Sequence, residues 1–163
     1  MNPLRLLVVA IALLPPSGCF TAKTDLVGGD AVADHALITF IGEQDDAEPV
    51  TFTREGNGYI TRGDDQEIWL HLKPVEGDFY VAQLSGPDDE GGTEYLYGYM
   101  RLDVAAGLAE VWLMVGSEGD VRPGLSQCDD VICIDDLAAY VAYGQEKVAA
   151  GEESDTTFMV TVE

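Results

Sequence analysis

Basic residues are scarce in this chain. Eight Lys and Arg stand against 30 Asp and Glu in 163 residues, a formal net charge of −22. A body so acidic repels phosphate backbones and anionic headgroups, which sets nucleic acid aside as a partner and argues against docking through a basic patch. Histidine is scarcer still, with only His35 and His71. His35 falls at the edge of the patterned region, and His71 lies mid-strand beside Trp69 and Lys73, where it reads as a half-exposed strand position. A nucleophilic Ser or Cys needs a base oriented by a third group, and neither that arrangement nor a Gly-x-Ser-x-Gly elbow is present. No enzyme, cofactor or metal site is therefore expected. Long apolar runs are missing too. The longest, Leu6 to Leu14, has nine residues, whereas a spanning helix needs about 20.

That short run follows Arg5 and precedes Pro15, Pro16, Ser17 and Gly18, the layout of a secretory signal peptide over residues 1–18. Pro16-Ser17-Gly18-Cys19 resembles the lipobox of bacterial lipoproteins, with Pro16 where Leu is usual. The resemblance implies cleavage before Cys19, a diacylglycerol on its thiol and an acylated amine. One acyl chain binds a bilayer marginally and two or three hold it durably. Residues Phe20 and Thr21 follow Cys19, and by the same resemblance the lack of Asp there favours the outer membrane of a Gram-negative cell, facing the periplasm. The partner so implied is a membrane, reached through a lipid anchor.

Cysteine is sparse and odd in number at three. With Cys19 acylated, Cys128 and Cys133 remain as a pair in an oxidising compartment, and a disulfide is the expected outcome. Metal ligation by the pair is the weaker reading, because no second Cys pair or nearby His completes a set.

Removal of residues 1–18 leaves a length suited to one domain. Residues 19–34 lack a sustained period and contain Gly28-Gly29, so they read as a lipidated Cys and a flexible tether. A single β-rich domain is expected over 35–163. Short strands alternate with turn chemistry: Ala36 to Ile41, then Pro49 to Arg54 and Tyr59 to Arg62 around Gly56-Asn57-Gly58, where Asn-Gly supplies positive φ for a hairpin. Glu67 to Lys73 sets Ile68, Leu70 and Leu72 opposite Trp69, His71 and Lys73. Asp78 to Leu84 sets Phe79, Val81 and Gln83 opposite Tyr80, Ala82 and Leu84. Glu94 to Asp103 carries Tyr95, Tyr97 and Tyr99 on one face, with Leu96, Met100 and Leu102 on the other. Leu108 to Val115 and Thr156 to Val162 are further strands. Asp135 reads as the N-cap of a helix over about 136–149, with Leu137, Tyr140, Val141, Gly144 and Val148 at helical spacing and Gly151 as its stop. The expected fold is mainly β, an antiparallel meander of about 7–8 strands, twisted or barrel-like, with one C-terminal helix. From Tyr80-Val81-Ala82-Gln83 through Tyr97, Cys128 and Cys133 to Leu137, the body is similar to small uncharacterised lipoproteins of Gram-negative bacteria, a likeness that implies no activity.

Acidic pairs recur at Asp45-Asp46, Asp64-Asp65, Asp88-Asp89, Asp129-Asp130 and Asp135-Asp136. Two carboxylates about 5–9.5 Å apart across a cleft suit glycoside hydrolysis, but each pair sits in an expected loop, where Asp serves local hydrogen bonding. Asp88, Asp89, Glu90 and Glu94 beside Gly91-Gly92 offer oxygens to Ca²⁺ without EF-hand order. Tyr95, Tyr97 and Tyr99, with Trp69 and Trp112, form the candidate ligand face for a sugar or an apolar molecule; the competing reading is ordinary cross-strand packing. Three functions follow in order: a non-enzymatic binding or interaction module meeting an envelope protein, a lipocalin-like carrier of a small molecule, and a hydrolase using paired carboxylates.

Overall fold

A computed structural model describes residues 19–63 and 66–163. The expected signal peptide, the lipobox positions before Cys19 and the Asp64-Asp65 pair lie outside the described residues.

The elements run β1 (Phe20–Thr21), β2 (Leu37–Gly42), β3 (Val50–Glu55), β4 (Gly58–Arg62), β5 (Glu67–Pro74), β6 (Phe79–Pro87), β7 (Thr93–Asp103), β8 (Leu108–Trp112), β9 (Leu125–Cys128), β10 (Val131–Ile134), α1 (Leu137–Ala149) and β11 (Thr156–Val162). From β3 to β8 each strand pairs antiparallel with the one before it. β11 then pairs with both β8 and β2. That last insertion closes eight strands into a barrel and removes both free edges of the meander.

Alternation decides which side chains enter the barrel. Ile38, Phe40, Phe52, Leu70, Met100 and Val111 point inward and belong to one buried cluster. On β2 and β3 the outward positions carry Thr39 and Thr51, whose hydroxyls are 2.8 Å apart. On these two strands, apolar inside and polar outside reverses the pattern of a membrane-spanning barrel. The β3–β4 hairpin differs from expectation in one detail. Glu55 pairs with Gly58, so the turn residues are Gly56 and Asn57, and the positive φ of 64° falls on Gly56. Gly58 serves another purpose, since a Cβ there would lie 2.7 Å from the His71 ring.

A second core lies on the outer face of β6 and β7. Val81, Tyr97 and Tyr99 meet Phe20, Val27, Ile132 and Tyr140 there. Here the expected flexible tether over 19–34 is corrected. β1 lies parallel to β10 and antiparallel to β7, and Phe20 and Val27 are 0% and 1% exposed. Phe20, Ala22, Val27 and Ala31 bury enough apolar surface to hold the segment down. Their spacing follows no period because the chain crosses a sheet face irregularly, which is why it reads as a linker. Residues of this segment thus belong to the folded domain.

Helix α1 closes this second core. Its N-cap is Asp136, one residue beyond the expected Asp135; the Asp136 carboxylate accepts from the Ala138 amide at 3.0 Å. The amides of Asp135 and Asp136 are both taken by the Gly124 carbonyl, which delays the first helical turn. Gly144 lets the helix approach β7, since a Cβ there would lie 2.4 Å from the Tyr99 ring.

Cys128 and Cys133 are bonded, with Cα atoms 5.7 Å apart, and staple the β9–β10 hairpin ahead of α1. Closing so short a loop is worth about 2 kcal/mol in the chain-entropy model. β10 is also the parallel partner of β1. Cys128→Ser with Cys133→Ser is therefore expected to lower stability by about 2 kcal/mol and to loosen the N-terminal segment. Denaturant unfolding measures the first effect, and protease cleavage within residues 20–34 the second.

Candidate functional site

The barrel is packed at one end and hollow at the other. At the end holding the β3–β4, β5–β6 and β7–β8 turns, Ile38, Tyr59, Leu72, Leu102 and Ala109 fill the interior and are all within 5% of full burial. Toward the opposite end the inward side chains leave a cavity of about 370 Å³, a size typical of small-molecule sites. Its walls include Phe40, Phe52, Leu70, Leu84, Met100 and Phe158. An eight-stranded barrel is just wide enough either to fill with side chains or to hold one small ligand. Residue size chooses between these here. Ala82 and Gly98 are register partners on β6 and β7, so neighbouring inward positions carry a methyl group and no side chain at all. Val111 takes up part of the room above Gly98. Ala82, Leu84, Leu96, Met114 and Phe158 point inward yet are only half-buried, because the mouth admits solvent.

The mouth is rimmed by Cys19, the β2–β3 loop (Glu43, Gln44, Ala47, Glu48), Val115, Asp155 and Thr156. β8 ends at Trp112, and the next residue, Leu113, takes φ 57°. A non-glycine residue in this region costs of order 1–3 kcal/mol. Two contacts hold the turn: Tyr140 Oη donates to the Leu113 carbonyl at 3.1 Å, and Asp155 Oδ2 accepts the amides of Met114 and Val115 at 2.9 and 3.1 Å. Met114 thereby joins the cavity wall. Cys19 bridges to Val115 and is a free, half-buried thiol. Burial, then the nearby Glu94 carboxylate, push this thiol above its ordinary range.

Of the five expected ligand-face aromatics, Tyr97 alone borders the hollow, and the five are not gathered there. Tyr97 and Tyr99 project from the other face of β7 into the second core, and Trp112 joins them, its indole donating to the Glu152 carbonyl at 2.9 Å. Tyr97 Oη lies 2.7 Å from Gln83 Oε1 beneath the Leu26 amide, and burial drives its hydroxyl far up. Tyr95 is half-buried at the edge of this core. Trp69 stacks on His71 on the outer surface of β5. Period two was correctly read; which face is hollow depends on what covers the other, and α1 with residues 20–31 covers the tyrosines.

The described acidic pairs are not brought across a common cleft. Asp88 Oδ1 accepts the amides of Glu90 and Gly92 and stabilises its own loop. Among the described residues, no group of three or more His, Cys, Asp or Glu is arranged to hold a metal. Sequence reasoning missed the acids at the mouth, Glu43, Glu48 and Asp155. The available signal was Ala82 opposite Gly98, small inward residues on adjacent strands.

Asp25 of the N-terminal segment lies close enough to His71 on β5 for the two to interact electrostatically. Burial pulls the Asp25 carboxyl up, but the amides of Gly28 and Val27, at 2.6 and 2.9 Å, outweigh it and hold the group below its ordinary range. Burial pushes His71 down, offset in part by Asp25, and His71 Nδ1 is buried without a partner. Both shifts act in one direction. An unfolded His takes a proton near pH 6.5 before the folded one does, and an unfolded Asp takes one near pH 3.9 before the folded one does. The stabilisation is complete at neutral pH. The denaturation midpoint is expected to fall below about pH 6.5 and again below about pH 4, with His71→Asn removing the upper step; urea titrations across pH measure both.

Compared with known proteins, the chain matches no family model, no curated protein and no solved structure.

Proposed function

We propose that this protein is an exported, lipid-anchored carrier whose barrel holds one small apolar molecule. The observation that carries the reading is the hollow of about 370 Å³ at one end of an otherwise packed barrel. Its walls offer a ligand aliphatic and aromatic surface and few hydrogen-bonding groups, which favours an apolar molecule over a sugar. Burial of apolar ligand surface there is worth roughly 25 cal/mol per Å² before the cost of association.

Anchoring fits the same geometry. The lipobox resemblance assigns the acyl chains to Cys19, which is left free when Cys128 and Cys133 bond each other. Cys19 also belongs to the rim of the hollow. Acyl chains on its sulfur would start at the mouth and hold that end of the barrel against the bilayer, so that a ligand exchanges between membrane and cavity without crossing bulk water. In this reading the membrane is the outer membrane and the barrel stands in the periplasm.

The test is expression of the full chain in a Gram-negative host, followed by fractionation and mass spectrometry under denaturing and native conditions. The expected result is a membrane-bound protein that begins at an acylated Cys19 and retains a small apolar molecule displaced by a fluorescent apolar probe. An unmodified thiol in a soluble fraction would overturn the anchor, and a barrel that neither retains a ligand nor takes up the probe would overturn the carrier.

The interaction-module reading rests on a separate feature. Leu108 and Met159 are cross-strand partners and are 39% and 52% exposed. It requires Met159→Lys to weaken crosslinking to an envelope protein while leaving probe uptake unchanged.

A further inference from the structure

The charges around the hollow restrict what polar end its ligand carries. The lining contains Glu43, Glu48 and Asp155 and no Lys, Arg or His. The basic side chains of the described residues lie elsewhere. Arg62 pairs with Glu55 and Glu67, Lys73 with Asp30, Arg101 with Glu110, Arg122 with Glu146 and Lys147 with Glu152. Arg54 reaches the Ala33 carbonyl near the packed end, and Lys23 lies on the segment that crosses the outer face, away from the lining.

A carboxylate seated in an apolar barrel needs a guanidinium, an ammonium or several donors to replace its water. Here it would meet acids instead. Asp155 is partly compensated, because its Oδ2 accepts two backbone amides. Glu43 and Glu48, both on the β2–β3 loop and both exposed, stand at the rim with no basic side chain in the lining beside them. We propose that the hollow selects amphiphiles with a cationic or uncharged polar end and discriminates against fatty-acid carboxylates. This rests on the hollow being the ligand site. The apolar chain supplies the affinity and the loop glutamates supply the choice. Being solvent-exposed, they act through water and are weakened by salt.

Three ligands sharing one dodecyl chain separate the terms: dodecyltrimethylammonium, dodecanol and laurate, each below its micellar concentration. Their displacement of a neutral fluorescent probe from the full chain would be measured at low salt and at about 0.5 M salt. The ammonium ligand is expected to bind about tenfold tighter than laurate at low salt, with dodecanol between them. Salt narrows the gap, as does the double variant Glu43→Gln with Glu48→Gln. Laurate binding as tightly as the ammonium ligand, or a gap insensitive to both salt and the double variant, would overturn the selection while leaving the hollow as the site. Failure of all three ligands and of the probe to bind would overturn the hollow itself, and the selection with it.

Discussion

Ala82→Phe is expected to abolish uptake of an apolar ligand while leaving the barrel folded. Ala82 points into the hollow and sits beside Gly98 on the neighbouring strand. A phenyl ring at that position would occupy the space that a ligand needs. In a fully packed core the same change forces rotamer strain of about 1–3 kcal/mol. Here the half-buried Ala82 already faces open volume, so the expected change in stability is within about 1 kcal/mol. The loss in affinity should be on the order of a hundredfold, since the ligand forfeits most of its buried surface. Probe displacement measures the affinity and thermal unfolding the stability. Retained affinity at unchanged stability would mean that the ligand site lies elsewhere.

The largest effect on stability is expected at Tyr140. Its ring is fully buried, 5.4 Å from the Phe20 centroid and 6.3 Å from that of Tyr97. It joins α1, the N-terminal segment and the barrel wall at one point. Tyr140→Ala removes a large aromatic from a packed interior and should cost about 3–5 kcal/mol. It also removes the hydroxyl that holds the Leu113 carbonyl in its left-handed turn. Tyr140→Phe separates the two contributions, keeping the ring and leaving a buried carbonyl without its donor, at about 1–3 kcal/mol. Urea unfolding would measure both variants. Equal losses would assign the whole effect to the hydrogen bond; a loss below about 1 kcal/mol for Tyr140→Ala would show that the second core contributes little to the fold.

Much of this architecture was legible in the order of the residues, for local reasons. Ile68, Leu70 and Leu72 against Trp69, His71 and Lys73 identify a half-buried strand wherever it packs. The helical spacing of Leu137, Tyr140, Val141 and Gly144 likewise survives without knowledge of neighbours. The tether failed for the opposite reason. Phe20, Ala22, Val27 and Ala31 belong to a core built with residues of β7, β10 and α1, elements remote in the chain, as the Thr21–Leu96 register indicates, and nothing in the segment itself announces them. The tyrosine face was drawn correctly as a face, but whether it lines a ligand site or packs stayed open on the same ground; Tyr97 and Tyr99 pack in the second core.

By itself, then, the sequence determined the strand alternation, the C-terminal helix, the close cysteine pair and an acidity that disfavours anionic partners, because each depends on neighbouring residues or on composition. Only the tertiary structure decided that β11 closes the barrel, that the tyrosines are covered, and that a cavity opens beside Cys19 and the glutamates of the β2–β3 loop. A hollow is a property of how far apart opposing walls stand, and that distance is set by pairings between strands remote in the chain.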